Sequence, residues 1–325
     1  SLVGSEMCIR DSDVPRAQRH TLPNGASLYA IPSDDFEVLR FTFVFRAGSS
    51  MQHAPFAASA TANMLSEGSR DMTARQIAER LDFHGSYFEV NVDRDYVYIS
   101  FSSLSKFFGP TLEVAEQILL QPLFPEDELR AYCEKRKQTL TIERRKVDTV
   151  VREIFAEALF GDKHPYGISY PEKDYDTLTR ADLESLYRRL YTAENCLVVC
   201  SGRIGEEELQ GIGALAEKLP RADRNATADF PAPRSEAYRF VERPDAVQSS
   251  LRVGRLLFTR THPDFVGMQV VATVLGGYFG SRLMQNLREE HGYTYGVVSA
   301  MVNFEREGYF AIAAQVLSLI HISEP

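Results

Sequence analysis

No tryptophan occurs anywhere in the 325 residues, and none of the seven histidines (His20, His53, His84, His164, His262, His291, His321) stands three or four positions from another. The second absence has chemical content. Two imidazoles chelate one ion from a single helix face only at a spacing of one turn, so no helix of this chain can offer a histidine pair to zinc. Long apolar runs are missing too: none approaches the roughly 18 residues that a membrane-spanning helix needs. Cysteine is scarce, four in all. Cys8 lies near the start, and Cys196 and Cys200 flank Leu197-Val198-Val199, a buried-strand pattern in which thiols act as small apolar groups. Neither a disulfide framework nor a CxxxC metal site is expected. Positive charge is not in excess. With 36 Lys and Arg against 45 Asp and Glu, the net charge of −9 argues against a nucleic-acid partner. No Gly-x-Ser-x-Gly elbow or Cys/His signature marks an independent hydrolase. Around Gly276-Gly277 and Gly280 there is no GxGxxG and no following Lys-Ser/Thr, so a phosphate loop is not expected there.

What is present reads as alternating strands and helices. Asn24-Gly25 marks a turn before a strand at Ser27 to Ile31, and Val38 to Phe45 is rich in Phe and Val. Pro55 to Leu65 reads as a small-residue helix, and Thr73 with Gln76 forms a capping box for the next. Tyr87 to Val92 and Tyr96 to Phe101 make an antiparallel pair around Asp93-Arg94-Asp95. Helices follow at Pro110 to Leu120, Glu126 to about Arg145, Val150 to Phe160 and Thr179 to Tyr191, the last capped by Thr179 with Asp182. Leu197 to Ser201 is a strand and Glu206 to Lys218 a helix. The polar, Pro- and Ala-rich stretch Pro220 to Pro233 reads as a linker.

A second unit repeats this order. Gln248 to Leu257 is a strand, Pro263 to Leu275 and Ser281 to Glu290 are helices, and Tyr295 to Asn303 with Tyr309 to Val316 form a strand pair. Phe41 to Phe45 corresponds to Gln248 to Leu257, and Tyr96 to Phe101 to Tyr309 to Val316. The expected fold class is α+β, with two homologous α/β-sandwich domains, each a mixed sheet packed by helices. Residues 13–219 form the first domain, 220–235 the linker and 236–316 an incomplete second domain. The ends, 1–12 and 317–325, resemble translated sequencing-adapter DNA.

The most informative segment runs from Gly280 to Gly296, GSRLMQNLREEHGYTYG, an amphipathic helix closed by a tight turn. Read on its residues alone, Arg288 pairs with Glu289 or Glu290 on an exposed helix, and Tyr295 packs on the core from a strand. The whole segment, with Leu22-Pro23-Asn24-Gly25, Arg46-Ala47-Gly48-Ser49, His164-Pro165-Tyr166-Gly167 and Tyr191-Thr192-Ala193-Glu194-Asn195 in order, resembles the insulinase-like (pitrilysin, mitochondrial processing peptidase) metallopeptidases. The resemblance implies a different role for Arg288 and Tyr295: gripping a substrate backbone across a cavity from zinc. It also places the zinc motif HxxEH at Ser59 to Asn63, where both ligand positions (Ser59, Asn63) and the general-base position (Ala62) are lost. The third ligand, a Glu in active relatives, falls at Leu140 and Thr141. The implied protein is therefore no enzyme on its own and holds no metal or other cofactor. It is a non-catalytic bacterial subunit, cytoplasmic or periplasmic, that supplies Arg288 and Tyr295 to an HxxEH-bearing partner acting on unfolded peptides. The alternative is a structural or assembly relative with no part in proteolysis.

Overall fold

The structure is a computed structural model, and it describes residues 15–221 and 230–317. Residues 1–12 and 318–325 of the proposed end segments and much of the linker lie outside the described residues, while Leu317 ends the last strand. The first sheet has six strands in the order β1-β2-β6-β3-β5-β4, formed by β1 (Gln18–Thr21), β2 (Ser27–Pro32), β3 (Val38–Phe45), β4 (Tyr87–Val92), β5 (Val97–Leu104) and β6 (Cys196–Gly202). It is mixed, because β2 and β6 run parallel while the other pairs are antiparallel. In β3 the side chains of Leu39, Phe41, Phe43 and Phe45 are fully buried, while Arg40 is exposed. This period of two directs one face of the sheet to the helices and the other to water.

Among the described residues the first unit carries seven α-helices: α1 (Ala57–Met64), α2 (Ala74–Phe83), α3 (Phe108–Leu120), α4 (Glu126–Glu143), α5 (Val147–Phe160), α6 (Arg180–Leu190) and α7 (Glu206–Glu217). Phe108 of α3 meets Phe41 edge-on at 6.1 Å, and Tyr191 after α6 lies 4.8 Å from Phe45. Both expected capping boxes are formed, Thr73 with Gln76 at α2 and Thr179 with Asp182 at α6. Cys196 and Cys200 are buried in β6, and burial pushes the Cys200 thiol up to about 11.

The second sheet has the order β7-β9-β8, from β7 (Gln248–Leu257), β8 (Thr294–Asn303) and β9 (Gly308–Leu317), all antiparallel. Its topology repeats that of β3-β5-β4, with helical segments between the first and second strand in each case. This supports the internal duplication read from the sequence. In that correspondence α1 matches α8 (Phe265–Ala272), and α2 matches the helical segment that carries Arg288. Helices cover the sheet from both sides. The Ser299 hydroxyl donates to the carbonyl of Ala272 at 2.6 Å on one face. On the other face, Phe155 of α5 meets Tyr309 edge-on at 5.9 Å.

A single buried carboxylate ties the two sheets together. Asp95, at the tip of the β4–β5 hairpin, is only 6% exposed. Its Oδ1 accepts from the Tyr166 hydroxyl at 2.5 Å, and its Oδ2 from the backbone N–H of Glu305, at the tip of the β8–β9 hairpin, at 2.7 Å. Phe304 stacks on Tyr166 at 4.3 Å, and Arg46 pairs with Glu305 at 2.9 Å. Corresponding hairpins of the two units thus meet tip to tip. Among the described residues no helix is long and apolar enough to cross a membrane.

Candidate functional site

The positions where a zinc motif would fall lie on α1. The Ser59 hydroxyl donates to the carbonyl of Phe56 at 3.0 Å, and the Asn63 amide donates to the carbonyl of Ser59 at 2.7 Å. Each side chain is folded back onto its own helix. Ala62 is fully buried and has no group that could polarise a water. Facing Ser59 from α4 is Tyr132, whose phenol burial pushes up to about 12. Phe56, held at φ +62° just before α1, stacks on Tyr175 at 3.9 Å. Aromatic rings therefore pack beside the helix that would hold the ion. On α4, Thr141 donates to the carbonyl of Lys137, and Leu140 lines a cleft of about 810 Å³ between the α4–α5 elbow and the start of β7. Among the described residues no three His, Cys, Asp or Glu side chains converge as ligands.

The second unit is built differently. After α8 the backbone widens into a π-helical turn, Thr273–Gly277, and a second π-helical segment, Met284–Glu290, carries Arg288. Such widened turns are rare and recur at functional sites. Gly292, at φ +65°, ends the segment. Its left-handed backbone lets the Tyr293 N–H reach the Leu287 carbonyl at 2.9 Å while its own N–H bonds to Arg288 O at 3.1 Å. The chain then enters β8 through a bulge: Thr294 pairs with Val316 but Val297 with Ala314, so Tyr295 and Gly296 are looped out of register. The buried Thr294 hydroxyl staples this bulge. It accepts from the Gly296 N–H at 3.1 Å and shares its proton between the carbonyls of Gly296 at 2.8 Å and Gln315 at 2.5 Å.

Bulges re-aim side chains next to active sites, and Tyr295 is 74% exposed rather than packed on the core. Arg288 is 35% exposed and approaches Glu289 only through Nε, at 3.5 Å. Among the described residues no hydrogen bond engages its two terminal nitrogens. A guanidinium with free planar donors can hold peptide carbonyls, and a projecting phenol can donate to a developing oxyanion. Sequence reasoning singled out both residues as candidates but missed the bulge and its Thr294 staple. The only trace was Thr-Tyr-Gly, a small residue just after the aromatic one.

The insulinase (peptidase family M16) sequence profile matches residues 56–171, and that of the peptidase M16 inactive domain matches residues 177–324. A protein of Rickettsia bellii described as an uncharacterized zinc protease is 26% identical over 261 residues, covering 78% of this chain and 61% of its own length. A similarly described protein of Mycobacterium tuberculosis is 30% identical over 179 residues, 52% of this chain and 40% of its own length. The chain thus spans at most about three fifths of these relatives. Among solved structures, a peptidase M16 inactive domain from Pseudomonas fluorescens superposes with a TM-score of 0.86 at 26% identity, covering 93% of this chain and 74% of that one. A protease from Helicobacter pylori shares the fold, with a TM-score of 0.81 at 15% identity over 94% of this chain and 76% of its own. Two profiles of one family in tandem, on a duplicated α/β fold that matches its solved members, establish that this chain belongs to the insulinase-like metallopeptidase family.

Proposed function

We propose that this chain is the non-catalytic, peptide-holding subunit of a two-chain zinc peptidase acting on unfolded peptides. The observation that carries the reading is a contrast between two homologous units. At the ligand positions of the first, Ser59 and Asn63 bond to their own backbone and Ala62 is buried. In the second, a stapled bulge pushes the Tyr295 phenol outward and Arg288 keeps its terminal nitrogens unengaged. In this reading the metal and general base belong to an HxxEH-bearing homologue. Arg288 donates to substrate carbonyls and fixes the register of the extended peptide. The Tyr295 hydroxyl donates to the oxyanion that forms at the scissile carbonyl, where one well-placed donor contributes roughly a hundredfold or more in rate.

The test is reconstitution with a homologous HxxEH protein and an internally quenched, unstructured peptide. Tyr295→Phe should lower kcat roughly a hundredfold with little change in thermal stability, and Arg288→Ala should raise KM. An assembly role without proteolysis would instead leave turnover intact in both variants and change only complex formation. Peptide cleavage by the purified chain alone, or stoichiometric zinc bound to it, would overturn the proposal.

A further inference from the structure

Phe279 is a large apolar ring left 64% exposed, two residues past the Gly276-Gly277 pair. Its one described electrostatic partner is the guanidinium of Arg288, whose Cζ lies 4.7 Å from the ring centroid. The loop geometry that produces this contact is set by close packing. A Cβ at Gly276 would stand 2.8 Å from the Ser299 backbone nitrogen, so only glycine lets the loop lie against β8. At Gly280 the Tyr278 ring occupies the space a side chain would take, at 3.0 Å. With Gly276 held against β8, Phe279 stands within reach of Arg288 in the last turn of the Met284–Glu290 segment.

We infer that Phe279 is a positioning residue for Arg288. An arginine with four free torsions loses much rotamer freedom when it grips a ligand. A guanidinium held over a ring has already given up part of that freedom, and the ring offers no lone-pair acceptor to its N–H donors. The terminal nitrogens therefore stay available for carbonyl acceptors while the fork is held near the ring. The inference rests on the reading of Arg288 as a peptide-gripping group, but the placement of its side chain can be tested separately.

Two measurements on the full chain decide it. The first is the Arg288 Nε–Hε resonance in ¹⁵N-labelled protein, identified by its loss in Arg288→Lys. Ring current should displace this resonance in the wild type. Phe279→Leu should return it to the position of a free arginine, and Phe279→Tyr should preserve the displacement. An unchanged resonance in Phe279→Leu would overturn the inference, whatever the peptidase assay gives. The second is kcat/KM for the internally quenched peptide in the reconstituted pair. Phe279→Leu should lose about two- to fivefold, the scale of an exposed cation–π contact. Phe279→Tyr should retain the wild-type value, and Phe279→Leu should cost nothing further once Arg288 is already alanine. If Arg288→Ala is damaging and Phe279→Leu multiplies that damage, Phe279 acts independently and the inference fails. If Arg288→Ala is silent, the peptide-holding proposal falls, and the resonance alone still decides what Phe279 does.

Discussion

A hydroxyl at Thr294 and an imidazole at His164 each do something that their neighbours in sequence cannot. The Thr294 hydroxyl accepts from the Gly296 N–H inside the bulge. Thr294→Val should therefore destabilise the chain by about 0.5–1.5 kcal/mol, the net contribution of a lost hydrogen bond. Chemical denaturation measures this, and an unchanged midpoint would mean that the bulge holds itself. His164 is buried, stacked on Phe160 at 5.1 Å, and its Nδ1 accepts from the Tyr166 N–H at 3.1 Å. Burial lowers its pKa. The unfolded imidazole takes up a proton as the pH falls below about 6.5, while the folded one resists until the pH is lower still. The folded state thus loses stability from this group as the pH drops through that window, and nothing above it. His164→Asn should flatten the corresponding part of the stability–pH curve. Neither role was legible in the sequence. A lone threonine carries no pattern, and although His164-Pro165-Tyr166-Gly167 stands out as a motif, only the fold buries its imidazole against Phe160 and brings Gln315 to Thr294.

At the scale of elements, much was readable because the signals are local. The two capping boxes, the Asn24-Gly25 turn with Gly25 at φ +92°, and the Phe/Val alternation of β3 all depend on residues within one turn or one strand. The parallel pairing of β2 with β6, which joins Ser27 to Leu197, is set by packing across the whole first unit and leaves no local trace. The expected helices Pro263 to Leu275 and Ser281 to Glu290 are present but partly π-helical, at Thr273–Gly277 and Met284–Glu290. Periodicity cannot show this, since one extra residue per turn is invisible in a segment of two turns. Two glycines of this region make a matched prediction. Gly276→Ala should destabilise by about 1–3 kcal/mol, because its Cβ meets the Ser299 backbone. Gly267→Ala, in α8 with nothing within 4 Å of the added carbon, should stabilise by about 0.5–1 kcal/mol. Thermal melts of the two variants should shift in opposite directions.

Taken as one body, the molecule is held by a junction that neither unit contains alone. Asp95 and Tyr166 come from the first, Phe304 and the Glu305 N–H from the second, and Arg252 reaches back to Asp148 at 3.3 Å. Burial also lowers the pKa of the Arg94 guanidinium beside this contact. Tyr166→Phe removes a hydrogen bond to a buried carboxylate and should cost about 1.5–3 kcal/mol. Because the bond lies at the junction, the loss should also loosen one unit from the other. Hydrogen exchange would then rise at the β8–β9 hairpin before it rises in β3. Uniform acceleration across both sheets would contradict this. The duplication itself was visible as a repeated order of elements, whereas the meeting of hairpin tips was not, since it joins positions 210 residues apart.

That meeting also has a temporal side. The carboxylate that receives the second hairpin belongs to residues made early on the ribosome, and the amide that seeks it emerges some two hundred residues later. A nascent chain stalled before Glu305 would therefore present the Tyr166–Asp95 pair with the Asp95 Oδ2 still waiting for its amide.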